Sequence, residues 1–304
     1  MLQQWRTLTQ TGFFVLFVIA PPLDLFRYDL NLGHFILLGY DWRLNVAAIQ
    51  HGQDSAVINI LLLGIAPILL IAAGFLFVAW RWGRIYCGWF CPHFSVVEQI
   101  NKLMIRAIGK PSIWDKKTLP LKKPNRWYWL PTVFLALFFA LIWSVSLLTY
   151  LLPPFEIYHN ILNLQLTRNQ SIFLLVATSL FCLDFLVTRH LFCRFGCAVG
   201  LFQSLAWMAN RRAMVIAYDN NKARACQSCN NACDNACPMR LQPRTIKRRM
   251  FSCTECGECI SACTQVQGGN EQDSLLHWVQ GVKAEQLSEP PVGIPKCSSP
   301  RSQS

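Results

Sequence analysis

Charge is scarce in this chain of 304 residues: Asp, Glu, Lys and Arg together make up 14%, against 53% hydrophobic residues. Soluble domains carry about 25% charged residues. There is too little charge here to cover one large water-soluble globule, so a membrane protein is the first expectation. Acidic residues are scarcer still, 16 against 28 basic ones. Signatures of other chemistry are missing as well: the sequence has no G-x-G-x-x-G after a strand, no P-loop, no G-x-S-x-G and no H-E-x-x-H. No nucleotide or flavin site is therefore visible, and hydride chemistry would have to come from a partner. High hydrophobicity and many aromatics exclude disorder over most of the length. The formal net charge of +12 would suit nucleic acid if the basic residues formed a stripe on a soluble fold. Their distribution along the chain argues for a lipid surface and no nucleic acid.

Four long apolar runs are present, at 12–26, 56–80, 127–152 and 171–189. About 20 mostly apolar residues span a bilayer. The first run is short and broken by Pro21, Pro22 and Asp24, and the fourth carries Asp184. All four are expected to cross, giving an all-α membrane bundle of about four helices, with Trp80, Trp82, Trp127, Trp129 and Tyr150 as interfacial anchors. Lys and Arg concentrate in 81–126 and from Arg189 onward. The positive-inside rule then predicts a multi-pass protein with both termini and the 81–126 loop in the cytoplasm, where 25 of the 28 basic residues fall. The N-terminal run lacks a basic start and a small-residue cleavage site, so it is expected to be a retained helix.

The chain repeats itself. Each half reads as span, outer loop, span, then a Cys-x3-Cys and an amphipathic stretch, IYCGWFCPHFSVVEQINKLM at 85–104 against LFCRFGCAVGLFQSLAWMAN at 191–210. Two parallel halves would bring Cys87, Cys91, Cys193 and Cys197 together on the cytoplasmic side. Their spacing is open to a joint metal or redox site, to a redox dithiol pair, and to inert packing of i, i+4 thiols.

Twelve of the fourteen cysteines fall in three tight sets on the side of the reducing cytosol, which argues against a disulfide framework. The densest part is Cys226-x2-Cys229-x3-Cys233-x3-Cys237-Pro238, followed by Cys253-x2-Cys256-x2-Cys259-x3-Cys263. In the bacterial ferredoxin pattern three close thiolates wrap one cubane and the fourth reaches the other. By that logic Cys226, Cys229, Cys233 and Cys263 hold one [4Fe-4S] cluster, and Cys253, Cys256, Cys259 and Cys237 the second. The competing reading is two zinc sites, since C-x2-C pairs also suit tetrahedral zinc, and only spacing discriminates the two. The expected organisation is a membrane domain over 1–210, a small α+β two-cluster ferredoxin-like domain over 211–270, and a polar, disordered tail over 271–304.

The order of features, YCGWFCP after the second span, FCRFGC after the fourth, then MVIAYD, CNNACDNACPMRL and CTECGECISAC, resembles the bacterial membrane polyferredoxins. That family includes the quinol-dehydrogenase subunit of periplasmic nitrate reductases, the membrane regulator of nitrous oxide reduction, and the assembly factor of cbb-type cytochrome oxidases. Ala198 stands where the resemblance expects proline. The resemblance implies a protein of the bacterial inner membrane that moves electrons between the quinone pool and a partner redox protein. Its membrane-edge cysteines are open to a third iron–sulfur cluster or copper. The alternative it implies is an assembly factor that reduces copper or a similar metal for a cbb-type oxidase. Enzymatic character, as a quinol-dehydrogenase or metal-reductase component, stays open between the two.

Other ionisable residues carry weaker signals. His93 and Glu98 follow Cys87, and Asp184, Arg189 and His190 precede Cys193. A quinol site needs proton acceptors, and charge within a span is costly, but a salt bridge between Asp184 and Arg189 explains those two equally well. Asp24, Asp29, His34, Asp41, His51, Asp54, Glu156 and His159 are read as solvated residues of outer loops. Cys182 is read as a small apolar residue, and Cys297 has no assigned role.

Overall fold

The computed structural model describes residues 2–43, 58, 60–110, 113, 114, 119, 124–229, 231–245, 247–269 and 274–288. Along these the chain is mostly helical. In order it forms α1 (Leu2–Ile19), a meander of β1 (Phe26–Asp29), β2 (His34–Leu37) and β3 (Tyr40–Trp42), a π-helical turn Ile60–Ile65 leading into α2 (Ala66–Trp82), α3 (Ile85–Trp89) and α4 (Pro92–Ile108). A 3-10 turn, Arg126–Tyr128, opens α5 (Trp129–Thr149), followed by α6 (Pro154–Leu162) and α7 (Arg168–Leu183). Then come α8 (Ala198–Ala209), β4 (Met214–Tyr218), α9 (Ala232–Ala236), α10 (Glu258–Val266), β5 (Leu276–Gln280) and α11 (Gly281–Ser288). The chain divides into two compact units. One comprises residues 1–10, 76–95 and 190–304, the other 11–75 and 96–189.

Three helical stretches are long and apolar enough to cross a membrane: Ile60–Trp82, Arg126–Thr149 and Arg168–Thr188. They account for the second, third and fourth apolar runs. The first run behaves differently. Its helix, α1, spans 18 residues, but the N-terminal half reads LQQWRTLTQ, and the chain leaves the helix at Ala20, ahead of Pro21 and Pro22. Proline has no amide hydrogen and fixes φ, which favours a turn there. The π-helical turn before α2 has a similar origin, since Pro67 removes a donor from the i to i−4 ladder.

In the second unit, α5 and α7 form the most extensive helix pair. Ala136, Ala140 and Ser144, four residues apart, are fully buried on α5, and such small residues let two backbones approach closely. Thr178 Oγ1 donates to Ser144 Oγ across the pair at 3.0 Å. The start of α7 is fixed by a capping box in which Thr167 and Gln170 satisfy each other's backbone amides. Phe14 and Phe17 of α1 pack on Phe139, Trp143 and Tyr150.

The segment read as an outer loop is instead the β1 to β3 meander, turned at Gly33 (φ 71°) and Gly39 (φ 79°), where only glycine is unstrained. Its charges are paired. Arg27 bonds Asp24 at 2.5 Å and Asp29 at 2.6 Å, and His34 Nε2 lies 3.1 Å from Asp41. His51, Asp54 and Cys297 lie outside the described residues.

The first unit is built on the antiparallel pair β4 and β5, with Met214 opposite Gln280 and Tyr218 opposite Leu276. The expected tail over 271–304 thus supplies, within its described part, a strand and α11. Its Leu275 and Leu276 are buried in one core with Trp207, Val215, Ile216, Met239 and Met250. Trp207 Nε1 donates to Met214 O at 2.9 Å, and Lys247 Nζ caps the end of α8 through Trp207 O and Asn210 O.

Candidate functional site: three sets of converging thiols

The first unit gathers all twelve clustered cysteines. Cys226 lies in a 3-10 helix, Asn220–Ser228, Cys233 in α9, and Cys263 in α10. With Cys229 they line one small pocket, together with Tyr218, Arg244 and Leu275. The gap between Cys229 and Cys233, one residue longer than in ferredoxins, is turned by Asn231 in the left-handed region (φ 56°).

Cys237, Cys253, Cys256 and Cys259 line a second small pocket, with Ile216, Pro238 and Met250. The loop between Cys253 and α10 reverses through Glu255 (φ 49°) and Gly257 (φ 71°). A Cβ on Gly257 would come within 2.9 Å of the Trp278 ring, so the turn excludes a side chain on two counts. Each pocket therefore draws three cysteines from one sequence set and one from the other.

Backbone amides point at the crossing sulfurs: Leu241 N donates to Cys237 Sγ and Leu275 N to Cys263 Sγ, both at 3.4 Å. At Cys237 the bond from Leu241 favours thiolate over thiol. Burial acts the other way. It pushes the Cys233, Cys237, Cys253 and Cys259 thiols up, Cys259 further through Cys256, Cys237 and Cys233. Empty of a cation, these positions disfavour free thiolates, and a metal centre is what reverses that balance. Among the described residues no three His, Cys, Asp or Glu are grouped to hold a single metal ion. Cys226 Sγ and Cys229 Sγ are 4.0 Å apart.

The third set lies at the ends of the apolar helices. Cys87 and Cys193 are buried, Cys91 and Cys197 partly so. All four are within electrostatic reach of one another. Burial raises Cys193 strongly and the other three thiols add to it, while burial, Cys87 and Cys197 push Cys91 up to about 12. Cys87 Sγ accepts from Gln203 Nε2 at 3.6 Å and from Arg84 Nη2 at 3.8 Å. His93 Nδ1 lies 3.5 Å from Cys193 Sγ. The amphipathic stretches expected after each Cys-x3-Cys are α4 and α8, and Cys197 is the residue before α8.

The third set abuts the second pocket. Gly88 packs on Thr254, Trp89 Nε1 donates to Glu255 O at 3.0 Å, and Arg6 Nε and Gln10 Nε2 both donate to Gly88 O. Two residues that sequence reading missed stand here. Arg84 is 1% exposed beside Cys87. Glu255 is fully buried, and burial drives its carboxyl to about 8, against hydrogen bonds from Trp278 and Cys253 and the charge of Lys247. The available signal was position: Arg84 stands three residues before Cys87 of the YCGWFC motif, and Glu255 sits between two clustered cysteines.

Of the residues flanking the motifs, Asp184 accepts a hydrogen bond from Thr188 Oγ1 and Arg189 Nη1 donates to Asn101 Oδ1 at 2.9 Å. Glu156 and His159 lie on α6 and are not drawn to any thiol set. Cys182 packs among apolar residues of the second unit's core.

Residues 65–111, the stretch that carries Cys87 and Cys91, match the family of 4Fe-4S binding domains. The chain is 22% identical over 228 residues to YccM of Escherichia coli (strain K12), whose name assigns it provisionally to electron transport; the alignment covers 74% of this chain and 61% of that protein. It is 26% identical to the uncharacterized protein MJ0750 of Methanocaldococcus jannaschii, over 86% of this chain and 92% of that one. It is 27% identical to MJ0749 of the same organism, over 64% of this chain and 65% of that one. The chain thus spans about three fifths of the length of YccM. No solved structure matches it.

Proposed function

We propose that this chain is a membrane-bound iron–sulfur protein that moves electrons one at a time between the quinone pool and a partner redox protein. The observation that carries the reading is the gathering of twelve thiols into three sets of four within one compact unit. The 4Fe-4S match over Cys87 and Cys91 and the electron-transport name of a relative support it. Cys226, Cys229, Cys233 and Cys263 would hold one [4Fe-4S] cluster, Cys253, Cys256, Cys259 and Cys237 a second, and Cys87, Cys91, Cys193 and Cys197 a third metal centre. Clusters so held supply one-electron carriage at a potential set by burial and hydrogen bonding.

The chain's own residues supply the rest. The Leu241 and Leu275 amides bond the crossing sulfurs, the core around Trp207 and Leu276 excludes water, and the Gly88 approach brings the third set against the second pocket. Zinc is the weaker reading, because four-fold cysteine sets with this close spacing, repeated twice, suit cubane clusters better than isolated C-x2-C pairs do. The apolar helices supply the bilayer contact. The distribution of basic residues supports an orientation with both termini cytoplasmic, and a multi-pass place in the bacterial inner membrane, with α1 as a fourth crossing, is what the family resemblance and the first apolar run imply. That basic surface would dock an acidic carrier and needs no nucleic acid. A second reading, a copper-reducing assembly factor for a cbb-type oxidase, draws on His93 beside Cys193, since imidazole and thiolate together suit copper.

The test is iron, acid-labile sulfide, copper and zinc on anaerobically purified, detergent-solubilised protein. About twelve irons per chain, falling to about eight in Cys87→Ser/Cys193→Ser and separately in Cys233→Ser and Cys256→Ser, is the expected outcome for cubanes of four irons each. Copper at the membrane-edge set would favour the second reading, and zinc without iron would sink both.

A further inference from the structure

Arg84 differs from the other buried arginines for which ion pairs are seen. Arg6 pairs with Glu258, Arg27 with Asp24 and Asp29, and Arg244 with Asp234. No described carboxylate pairs with Arg84, although it is 1% exposed. Its Nη2 donates to Cys193 O at 2.7 Å and lies 3.8 Å from Cys87 Sγ, while Nε and Nη1 are buried with no partner.

The fold makes room for this group. A Cβ on Gly200 of α8 would come within 2.2 Å of Nη2, so glycine at this position admits the guanidinium. One turn along α8, buried Gln203 reaches the same Cys87 sulfur.

An arginine does not deprotonate in a protein, and a buried, unbalanced cation is costly. Among the described residues, the thiols that its charge reaches are those of Cys87 and Cys193. Their own burial opposes ionisation, so bare cysteines do not supply the balance. Thiolates fixed by a bound metal centre do.

We propose that Arg84 is the resident counter-cation of a thiolate-ligated redox centre at Cys87, Cys91, Cys193 and Cys197, and that its fixed charge raises that centre's affinity for an electron. The inference rests on the electron-transfer reading above. Reduction adds one electron, hence one negative charge, to a site of low dielectric, with no bond to Arg84 made or broken and no proton moved. A cation held there stabilises the reduced form more than the oxidised one. At the other two pockets the described charges are mixed: Arg244 at the first is paired with Asp234, and the second is faced by the carboxyl of Glu255 as well as by Arg240. Arg84 is a positioning residue that acts through the sulfur ligands.

The experiment is a redox titration of the full chain in detergent, followed by electron paramagnetic resonance, on wild type, Arg84→Lys and Arg84→Gln. The relevant signal is the one missing from Cys87→Ser/Cys193→Ser. In Arg84→Gln its electron affinity falls at least tenfold, a shift of 59 mV or more for one electron, while the other signals stay in place. Arg84→Lys retains most of the wild-type value. Loss of this centre's iron from the Gln variant alone, with Lys retaining it, also supports charge balance. A Gln variant that keeps its iron and titrates as wild type overturns the proposal, and so does a Lys variant that falls as far as Gln or loses the iron with it. If the double cysteine variant keeps every iron and every signal, the electron-transfer reading of the third set fails before Arg84 is at issue.

Discussion

The backbone of Gly88, one residue after Cys87, lies so close to Thr254, one residue after Cys253, that a Cβ on Gly88 would stand 2.2 Å from the Thr254 carbonyl oxygen. That approach joins the segment of Cys87 and Cys91 to the second cysteine-lined pocket without intervening side chains. Backbone atoms on both sides leave no rotamer that could relieve a larger residue.

Gly88→Ala is therefore expected to force α3 and the Cys253 loop apart. Overpacking of this kind costs about 1–3 kcal/mol. The thermal midpoint in detergent should fall, and a chelator should strip iron from the variant faster than from wild type. An unchanged midpoint with unchanged iron release would mean the two segments separate freely and that the contact joins nothing.

Arg6 holds the same junction from the other side. Its Nε donates to Gly88 O at 2.9 Å and its Nη1 to Gln3 Oε1 and Glu258 Oε1, both at 2.7 Å, with the arginine side chain almost wholly buried. Arg6→Ala strands these acceptors and is expected to cost about 2 kcal/mol, as hydrogen bonds to charged groups do. Glu258 is one-third exposed and keeps water when unpaired, so Glu258→Gln should cost under about 1 kcal/mol. Urea unfolding of the two variants checks the order, and equal losses would refute it.

Much of the site could be read in the sequence because its determinants are local. The spacing of Cys226 to Cys237 and of Cys253 to Cys263 already implies an exchange of the fourth ligand, and the pockets are lined in that pattern. The three longest apolar helices are legible for the same reason, each being a continuous run. The β1 to β3 meander escaped because its strands are three or four residues long, too short for a periodic signal, and only Gly33 and Gly39 mark its turns. The pairing of Val215 with Val279 escaped because strand pairing at such separation depends on the whole intervening core. Arg84 and Glu255 escaped because their roles depend on burial and the absence or presence of a partner, which no spacing encodes.

The small-residue stripe of α5 predicts an asymmetric response to substitution. Ala140 is fully buried facing α7, whereas its neighbour Leu141 is exposed. Ala140→Leu is expected to destabilise the helix pair by about 2 kcal/mol through overpacking, and Leu141→Ala to stay within about 0.5 kcal/mol in detergent. Chemical unfolding of both variants decides it. Comparable effects would show that the stripe is not what sets the approach of α5 and α7.

The β1 to β3 meander carries an acid-sensitive lock. Burial alone would raise the Asp29 carboxyl, but hydrogen bonds from Arg27 and from the Leu32 and Asn31 amides outweigh it and hold the group below its ordinary value of 3.8. A carboxylate with a folded pKa below its unfolded one contributes stability that is complete above the unfolded value and is lost as pH falls through the folded one. The wild-type meander should therefore resist opening above about pH 5 and loosen progressively below about pH 4. Asp29→Asn removes the carboxylate and should weaken the meander by on the order of 2 kcal/mol, with little further change over the acid window, Asp24 remaining as a partner for Arg27. Pepsin supplies the readout, because it is active in that window and cuts only opened chain. Cleavage within residues 26–42, followed by mass spectrometry from about pH 5 downward, should rise steeply as pH falls in wild type and start high and stay nearly flat in the variant. Identical cleavage profiles would mean that the Arg27 to Asp29 pair does not hold the strands, and that Tyr28 N bonding Tyr150 O and Leu30 N bonding Leu151 O carry the segment instead.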